Sequence, residues 1–280
     1  MATDDVSPST DTQGAALDAN AAELQADLDA RGSRCLYAEG RGPGNVREAY
    51  ALQRALRRTR EVRGETVVGF KIGYTSPTVR RHSAKVMGLT ESVHGYLWDT
   101  EAHANGATVD HRRLGIEGEL GVRLLSTDDL DVANWEVEYE PIIEIHMMGM
   151  DGPASDDNGR RGLELIGTNC IHAGVVHSSG THSARIGDIP LDAPMTVTIG
   201  GQQIEQVTLT ELQVDGVYGP VGTIGWLLRT LRAEGNGDDA LIRNGTVLIC
   251  STPGGLYPVP AGHDVRVEFE GLVTDCAADT

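Results

Sequence analysis

The stretch GIEGELGVRL, residues 115–124, indicates a buried β-strand that carries two acidic residues. Because side chains alternate along a strand, Glu117 and Glu119 would share one face, about 7 Å apart along the backbone. Two carboxylates on one face repel each other unless solvent or a cation lies between them. The stretch therefore predicts either a metal-binding strand or a solvent-facing strand edge with alternating glutamates.

A second apolar run, PIIEIHMM at residues 141–148, contains a third acid, Glu144. A carboxylate is out of place in such a run unless it is paired or bound to a metal. Together with Glu117 and Glu119 it would supply the oxygen ligands that suit Mg²⁺ or Mn²⁺ and do not suit zinc. The alternative is a buried ion pair with an arginine such as Arg123.

Short β-prone runs punctuated by glycine continue from Thr66 to the end of the chain, among them TVVGFKIGYT, GTVLIC and HDVRVEFEGLV. Helical spacing of apolar residues precedes them, in Ala16–Ala30 and in residues 46–62, which Asn45 can cap. One further helix is predicted at Val221–Glu234. We therefore expect an α+β fold with a β-rich mixed-sheet core and an N-terminal helical region.

The length of 280 residues allows one large domain with an N-terminal appendage. The polar composition of the first residues predicts a disordered tail over residues 1–15. A helical arm is expected over residues 16–65 and a β-rich catalytic domain over residues 66–280.

The formal net charge of -18 disfavours nucleic acid and anionic membranes as partners. No apolar run approaches the ~18 residues of a membrane span. The first residues also lack the basic and apolar segments of a secretory signal. The 4 cysteines are scattered without a CxxC pair, which argues against a disulfide framework and a zinc knuckle. We expect a cytoplasmic protein.

Lys71 is one of only two lysines in the chain and lies in the apolar run VVGFKIGYTS. A lysine there can extend to solvent, pair with a carboxylate, or transfer a proton near an anionic substrate. His94, in TESVHGYLWD, precedes a glycine in an expected loop. It could form a water-activating pair with Glu91, or it could be an exposed loop residue. His146 would share the strand face of Glu144, as a further metal ligand or as a core histidine.

In order along the chain, these segments resemble the 2-keto-4-pentenoate hydratase branch of the fumarylacetoacetate hydrolase superfamily. The resemblance covers roughly residues 45–274 and rests on NVREAYALQRAL, GETVVGFKIGYTSPTV, GIEGELGVRL, PIIEIHMM, NCIHAG, LIRNGTVLI and AGHDVRVEFEGLV. It implies a β-rich fold with an N-terminal helical region, usually assembled as a homo-oligomer. It also implies Mg²⁺ or Mn²⁺ on Glu117, Glu119 and Glu144, with Lys71 as the lysine of the GxKIG motif.

The resemblance further implies hydration of a 2-hydroxy-2,4-dienoate to a 4-hydroxy-2-oxo acid, in the breakdown of aromatic compounds. Alternatives within the superfamily are decarboxylation of a 4-oxalocrotonate and C–C hydrolysis of an acylpyruvate. An inactive small-molecule-binding protein on the same scaffold is an alternative of another class. The hydratases commonly carry an aspartate where this chain has Val93, so we expect His94, paired with Glu91, to be the residue that distinguishes this protein.

Overall fold

The computed structural model describes residues 10–30, 35–112, 114–148 and 158–280. Its helices are α1 Thr10–Asp29, α2 Cys35–Ala38, α3 Val46–Val62, α4 Pro77–Val86, α5 Asn158–Gly167 and α6 Gly219–Glu234. The first eight strands are β1 Val67–Gly73, β2 Val93–Trp98, β3 Ala102–His103, β4 Ala107–Val109, β5 Leu114–Ser126, β6 Glu136–Met147, β7 His172–Val176 and β8 His182–Arg185. The remaining strands are β9 Pro194–Ile199, β10 Gln202–Thr208, β11 Gln213–Val214, β12 Val217–Tyr218, β13 Val247–Ile249, β14 Tyr257–Pro258, β15 Asp264–Phe269 and β16 Leu272–Ala278.

A nine-stranded mixed sheet forms the centre of the fold. Its order is β2-β1-β13-β5-β6-β7-β3, with β14 added to β5 and β8 added to β6. The pairs β1–β13 and β3–β7 are parallel, whereas β5 and β6 form a long antiparallel pair. This mixed sheet with helices confirms the predicted α+β class.

A five-stranded sheet in the order β10-β9-β15-β16-β4 packs against the nine-stranded sheet. The close approach is visible at Gly118, where an added Cβ would lie 2.7 Å from the Val197 side chain. The main hydrophobic core draws buried residues from both sheets and from α6, including Leu120, Val267 and Leu227. Because this core lies against one face of β5, the alternate residues Glu117 and Glu119 are directed to the other face.

The N-terminal helices form a small bundle at the edge of the large sheet. Asn45 caps α3 by accepting a 3.0 Å hydrogen bond from the Glu48 backbone, as predicted. The buried face of α3 packs against α1 through Leu24, Leu52 and Leu56. α1 begins at Thr10, so the last six residues assigned to a disordered tail are helical here, and residues 1–9 lie outside the described part of the chain.

Two helices that follow the N-terminal bundle, α4 and α5, were not predicted. α4 has few apolar residues, and α5 is a ten-residue helix, so neither shows a long helical repeat in the sequence. The predicted helix at Val221–Glu234 is present as α6, with Pro220 in its first turn. Among the described residues, no helix combines the length and the apolar character that a membrane crossing requires.

Candidate metal centre and active site

Three strands bring together the acids and the lysine that the sequence singled out. β6 places Glu144 directly opposite Glu117 of β5, and Lys71 reaches the same place from β1. Arg123, the arginine considered as a partner of Glu144, is exposed and donates instead to the Gly245 carbonyl oxygen at 3.3 Å. The charge that balances Glu144 therefore comes from Lys71.

Glu144 is completely buried, and Lys71 and His172 both contact the same one of its two carboxylate oxygens. Its Oε1 is in ion-pair contact with Lys71 Nζ and lies 2.7 Å from His172 Nδ1. Burial tends to raise the pKa of Glu144, but Lys71 and then His146 outweigh it and keep this pKa well below the ordinary value. Burial tends to lower the pKa of Lys71, but the nearby acids, Glu144 first, raise it above the ordinary value. The pair is therefore an ammonium and a carboxylate at neutral pH.

Glu119 differs from Glu144 because no cationic side chain of the described residues forms an ion pair with its carboxyl group. Glu119 is 1% exposed, and its Oε2 has no hydrogen-bond partner among the described residues. Burial, and then the negative charges of Glu144 and Glu117, raise its pKa well above the ordinary value. The protein alone thus disfavours ionisation of Glu119, whereas a bound cation would favour it.

The residues around Glu144 fit a divalent cation. Glu117, Glu144 and His146 offer ligand atoms that all lie within 4.8 Å of one another. His146 Nε2 is 2.9 Å from Glu117 Oε2. In the described structure, however, both ring nitrogens of His146 and Glu144 Oε2 are without a hydrogen-bond partner. With Lys71 protonated and the three glutamates ionised, the group would carry a charge of −2, which one divalent cation would neutralise. This oxygen-rich donor set suits Mg²⁺ or Mn²⁺.

A narrow pocket opens onto this cluster and has both polar and apolar side chains in its lining. Its polar side chains include those of Lys71, Tyr74, Glu117, His146, Ser251 and Thr252. Its apolar side chains are those of Val79, Val93, Leu165, Ile171 and Leu256. Lys71 is the only lysine or arginine among the described residues that line it. The pocket is therefore suited to a small molecule with an acidic head and an uncharged chain.

His94 does not lie in this pocket, contrary to the prediction. Its neighbour Val93 lines the pocket, and strand alternation in β2 turns His94 to the opposite side. There its ring stacks on Tyr50, with 4.5 Å between centroids, and its Nε2 lies 2.9 Å from Glu234 Oε1. Glu91 is exposed in the preceding bend, so the expected Glu91–His94 pair does not form.

A turn that sequence reasoning passed over shapes the site. Asn169, Cys170 and Ile171 all adopt left-handed backbone angles, with φ of 56°, 54° and 54°. Such angles are costly for residues other than glycine and persist only where the surroundings enforce them. Asn169 provides that restraint, because its side chain accepts from the Tyr96 backbone N–H at 2.7 Å and donates to the Tyr96 carbonyl oxygen at 2.9 Å. The turn places the Cys170 carbonyl oxygen 3.4 Å from Lys71 Nζ.

His172, at the end of this turn, was also passed over as an individual residue. Its imidazole is fully buried and contacts Glu144. The sequence feature that could have indicated it is a histidine near the start of the apolar run IHAGVV, the β-prone run that follows PIIEIHMM along the chain.

Comparison with known proteins supports the resemblance to the fumarylacetoacetate hydrolase superfamily. No family model matches the chain. A 2-hydroxyhexa-2,4-dienoate hydratase from Comamonas testosteroni is 25% identical to it, over 82% of this chain and 84% of that protein.

Solved structures show the fold. A 4-oxalocrotonate decarboxylase from Pseudomonas putida G7, complexed with magnesium and adipate, matches with a TM-score of 0.75 and 20% identity. The match covers 97% of this chain and 99% of the decarboxylase. A fumarylpyruvate hydrolase from Pseudomonas aeruginosa, in complex with Mn²⁺ and pyruvate, matches with a TM-score of 0.51 and 13% identity, over 75% of this chain and 88% of that one. The predicted resemblance is confirmed: the chain has the fold of the fumarylacetoacetate hydrolase superfamily and is an enzyme of the hydratase or lyase type.

Proposed function

We propose that this enzyme is a divalent-cation-dependent hydratase that converts a 2-hydroxy-2,4-dienoate into a 4-hydroxy-2-oxo acid. The observation that carries the proposal is the convergence of Glu117, Glu144 and Lys71, with the buried Glu119 beside them, at a pocket whose lining also contains five apolar side chains. The name of the hydratase relative, which is a 2-hydroxyhexa-2,4-dienoate hydratase, supports this substrate class.

In this proposal Glu117, Glu119 and Glu144 hold Mg²⁺ or Mn²⁺, and His146 is available as a further donor. A cation bound there would act as a Lewis acid that stabilises negative charge on the 2-oxo group of the substrate. Substrate carboxylate and 2-oxo oxygens would then lie beside Lys71, among the polar side chains of the pocket lining.

Lys71 places a positive charge beside the reacting atoms of the substrate in this proposal. Because the surrounding acids raise its pKa, the amine keeps its proton and is poorly suited to act as a base. During ketonisation the dienoate loses the proton of its 2-hydroxyl group and gains one at C5, giving a 2-oxo-3-enoate. Water then adds across the C3–C4 bond, with its hydroxyl on C4 and its proton on C3. Lys71 can assist both steps by stabilising the enolate that forms at C2 and C3.

The apolar part of the pocket lining favours this reaction over decarboxylation of a dicarboxylic substrate. A second carboxylate placed against Val79, Leu165 and Leu256 would lose its hydration without meeting a lysine or arginine of the described lining. The hydrolase alternative relied on a Glu91–His94 pair, and that pair does not form. A monocarboxylic dienoate has no second carboxylate to lose its hydration, and the proposed hydration does not need a Glu91–His94 pair.

An ultraviolet assay tests the proposal with three compounds in the presence of Mg²⁺: a 2-hydroxy-2,4-dienoate, a 4-oxalocrotonate and an acylpyruvate. We expect turnover of the dienoate, its loss on chelation of the cation, and a much lower rate in Glu119→Ala. Preferred turnover of either other compound would refute the hydratase assignment. Binding of the dienoate without turnover of any compound would identify a small-molecule-binding protein instead.

We also propose a homo-oligomer, as the family resemblance implies. Leu130, Val217 and Tyr218 are large apolar residues that remain exposed in the single chain. Light scattering coupled to size exclusion should give a mass that is a multiple of one chain, and a monomer at micromolar concentration would contradict this proposal.

A further inference from the structure

His172 and Glu144 form a buried contact that the proposed reaction does not use. Both side chains are 0% exposed, and His172 Nδ1 lies 2.7 Å from Glu144 Oε1. An ionised carboxylate can only accept hydrogen bonds, so Nδ1 must carry the hydrogen. This bond occupies Oε1, which also contacts Lys71, and leaves Oε2 without a hydrogen-bond partner in the described structure.

The backbone around His172 is shaped to make this contact. Along the pairing of β6 with β7, Glu144 faces Val175 and Ile145 faces Gly174, but the next residue, His146, faces His172. The register thus skips one residue of β7, and such bulges redirect a side chain next to a functional site. The left-handed turn formed by residues 169–171 leads directly into this bulge.

The far side of the imidazole meets a second layer of charged groups. Glu101 Oε2 lies 3.5 Å from His172 Nε2, without a hydrogen bond between the two atoms. Glu101 Oε1 accepts a 2.6 Å hydrogen bond from Arg60 of α3. Arg60 is fixed in turn by Glu65, at 2.9 Å from its Nε, and by stacking over the Trp98 ring at 4.4 Å. The N-terminal helices therefore reach the candidate metal centre through Arg60, Glu101 and His172.

We propose that His172 is a positioning residue that orients the Glu144 carboxylate for cation binding, with Glu101 and Arg60 packed behind the imidazole. Pinning Oε1 directs the free Oε2 toward the space shared with Glu117 and His146. Groups that orient a ligating carboxylate commonly change metal affinity or activity about 10–100-fold when they are removed. The inference rests on the proposed function, because it concerns the cation site of that proposal.

Two substitutions of equal polarity separate positioning from packing. In His172→Asn the side-chain amide nitrogen can stand close to the place of Nδ1 and donate to Glu144. In His172→Gln the amide nitrogen corresponds to Nε2 and faces Glu101 instead. His177→Gln is a matched control, since His177 Nδ1 likewise lies 2.8 Å from a carboxylate of β6, Glu140, but outside the site.

The measurement is the dissociation constant for Mg²⁺ by calorimetry, together with kcat and KM for the dienoate and the thermal midpoint. We expect the Gln variant to bind Mg²⁺ about 10–100-fold more weakly than the wild type, and the Asn variant and the His177→Gln control to bind within about threefold of it. Unchanged Mg²⁺ affinity in His172→Gln, or equal losses in the Asn and Gln variants, would overturn the positioning role alone. If the wild type binds neither Mg²⁺ nor Mn²⁺, the proposed function fails and this role fails with it.

Discussion

Cation binding should release one proton from Glu119. The pKa of the buried carboxyl group is raised by burial and by the charges of Glu144 and Glu117, so the cation-free enzyme favours its protonated form. A carboxylate must be deprotonated to coordinate a metal, so each bound cation displaces this proton. Below the raised pKa of Glu119, the affinity for Mg²⁺ should therefore increase about tenfold per pH unit, or about 1.4 kcal/mol.

The assay is calorimetric titration of Mg²⁺ at one pH in two buffers with different ionisation enthalpies, such as PIPES and Tris. The difference between the two observed heats, divided by the difference between the buffer enthalpies, gives the number of protons released. We expect a value near one for the wild type and near zero for Glu119→Gln, which should also bind Mg²⁺ more weakly.

His146 supplies the control, because the charges of Glu144 and Glu117 outweigh burial and Lys71 and raise its pKa as well. If the proton came from its imidazole, His146→Gln would abolish the release and Glu119→Gln would retain it. Equal binding heats in the two buffers would refute the reasoning, since Glu119 would then be ionised already or would not bind the cation.

Three further outcomes follow from the site. Lys71→Met leaves Glu144 as an unpaired buried charge, so denaturant unfolding without cation should show a loss of about 3–5 kcal/mol, and dienoate turnover should fall at least about 100-fold. The depressed pKa of Glu144 stabilises the wild type fully above the unfolded-state pKa of this group, and that contribution is lost as pH falls below it. The stability deficit of this variant should therefore shrink in acid, and a deficit that stayed constant from about pH 5 to about pH 2 would contradict the argument. His94→Leu breaks the contact with Glu234 and should lower the free energy of unfolding by about 1–3 kcal/mol. Mg²⁺ affinity and kcat should stay within about threefold of the wild type. A selective loss of kcat would show that His94 takes part in catalysis. Leu165→Arg adds a cation among the apolar side chains of the pocket lining. It should shift binding, measured with Mg²⁺ present, from 2-oxohexanoate toward 2-oxoadipate, and an unchanged ratio would show that the substrate tail lies elsewhere.

The strands that carry the acids could be predicted because their chemistry and their periodicity agree. Glu117, Glu119 and Glu144 interrupt apolar runs that have no other reason to contain charge, and alternation alone places the first two on one face. The pairing of Glu117 with Glu144 depends on the register of two strands, which only the folded sheet reveals.

The histidines show where sequence reasoning ends. His94 was expected in a loop, but it lies within β2, where a shift of one residue decides which face a side chain occupies. Its partner, Glu234, is 140 residues away in sequence. His172 depends on a bulge and on a left-handed turn of non-glycine residues, neither of which has a local sequence signature. Contacts of this kind arise from tertiary packing and not from local preference.

Because the chain has only two lysines, a reagent that modifies amines can probe the buried ion pair of Lys71 and Glu144. Of the two lysines, Lys85 is exposed on α4, whereas Lys71 is 3% exposed and bound to Glu144. A reagent that acylates amines can reach Lys71 only when the pocket opens and the ammonium group loses its proton. The ratio of the two labelling rates, followed by mass spectrometry, would therefore report the free energy of that opening, much as hydrogen exchange does for backbone amides.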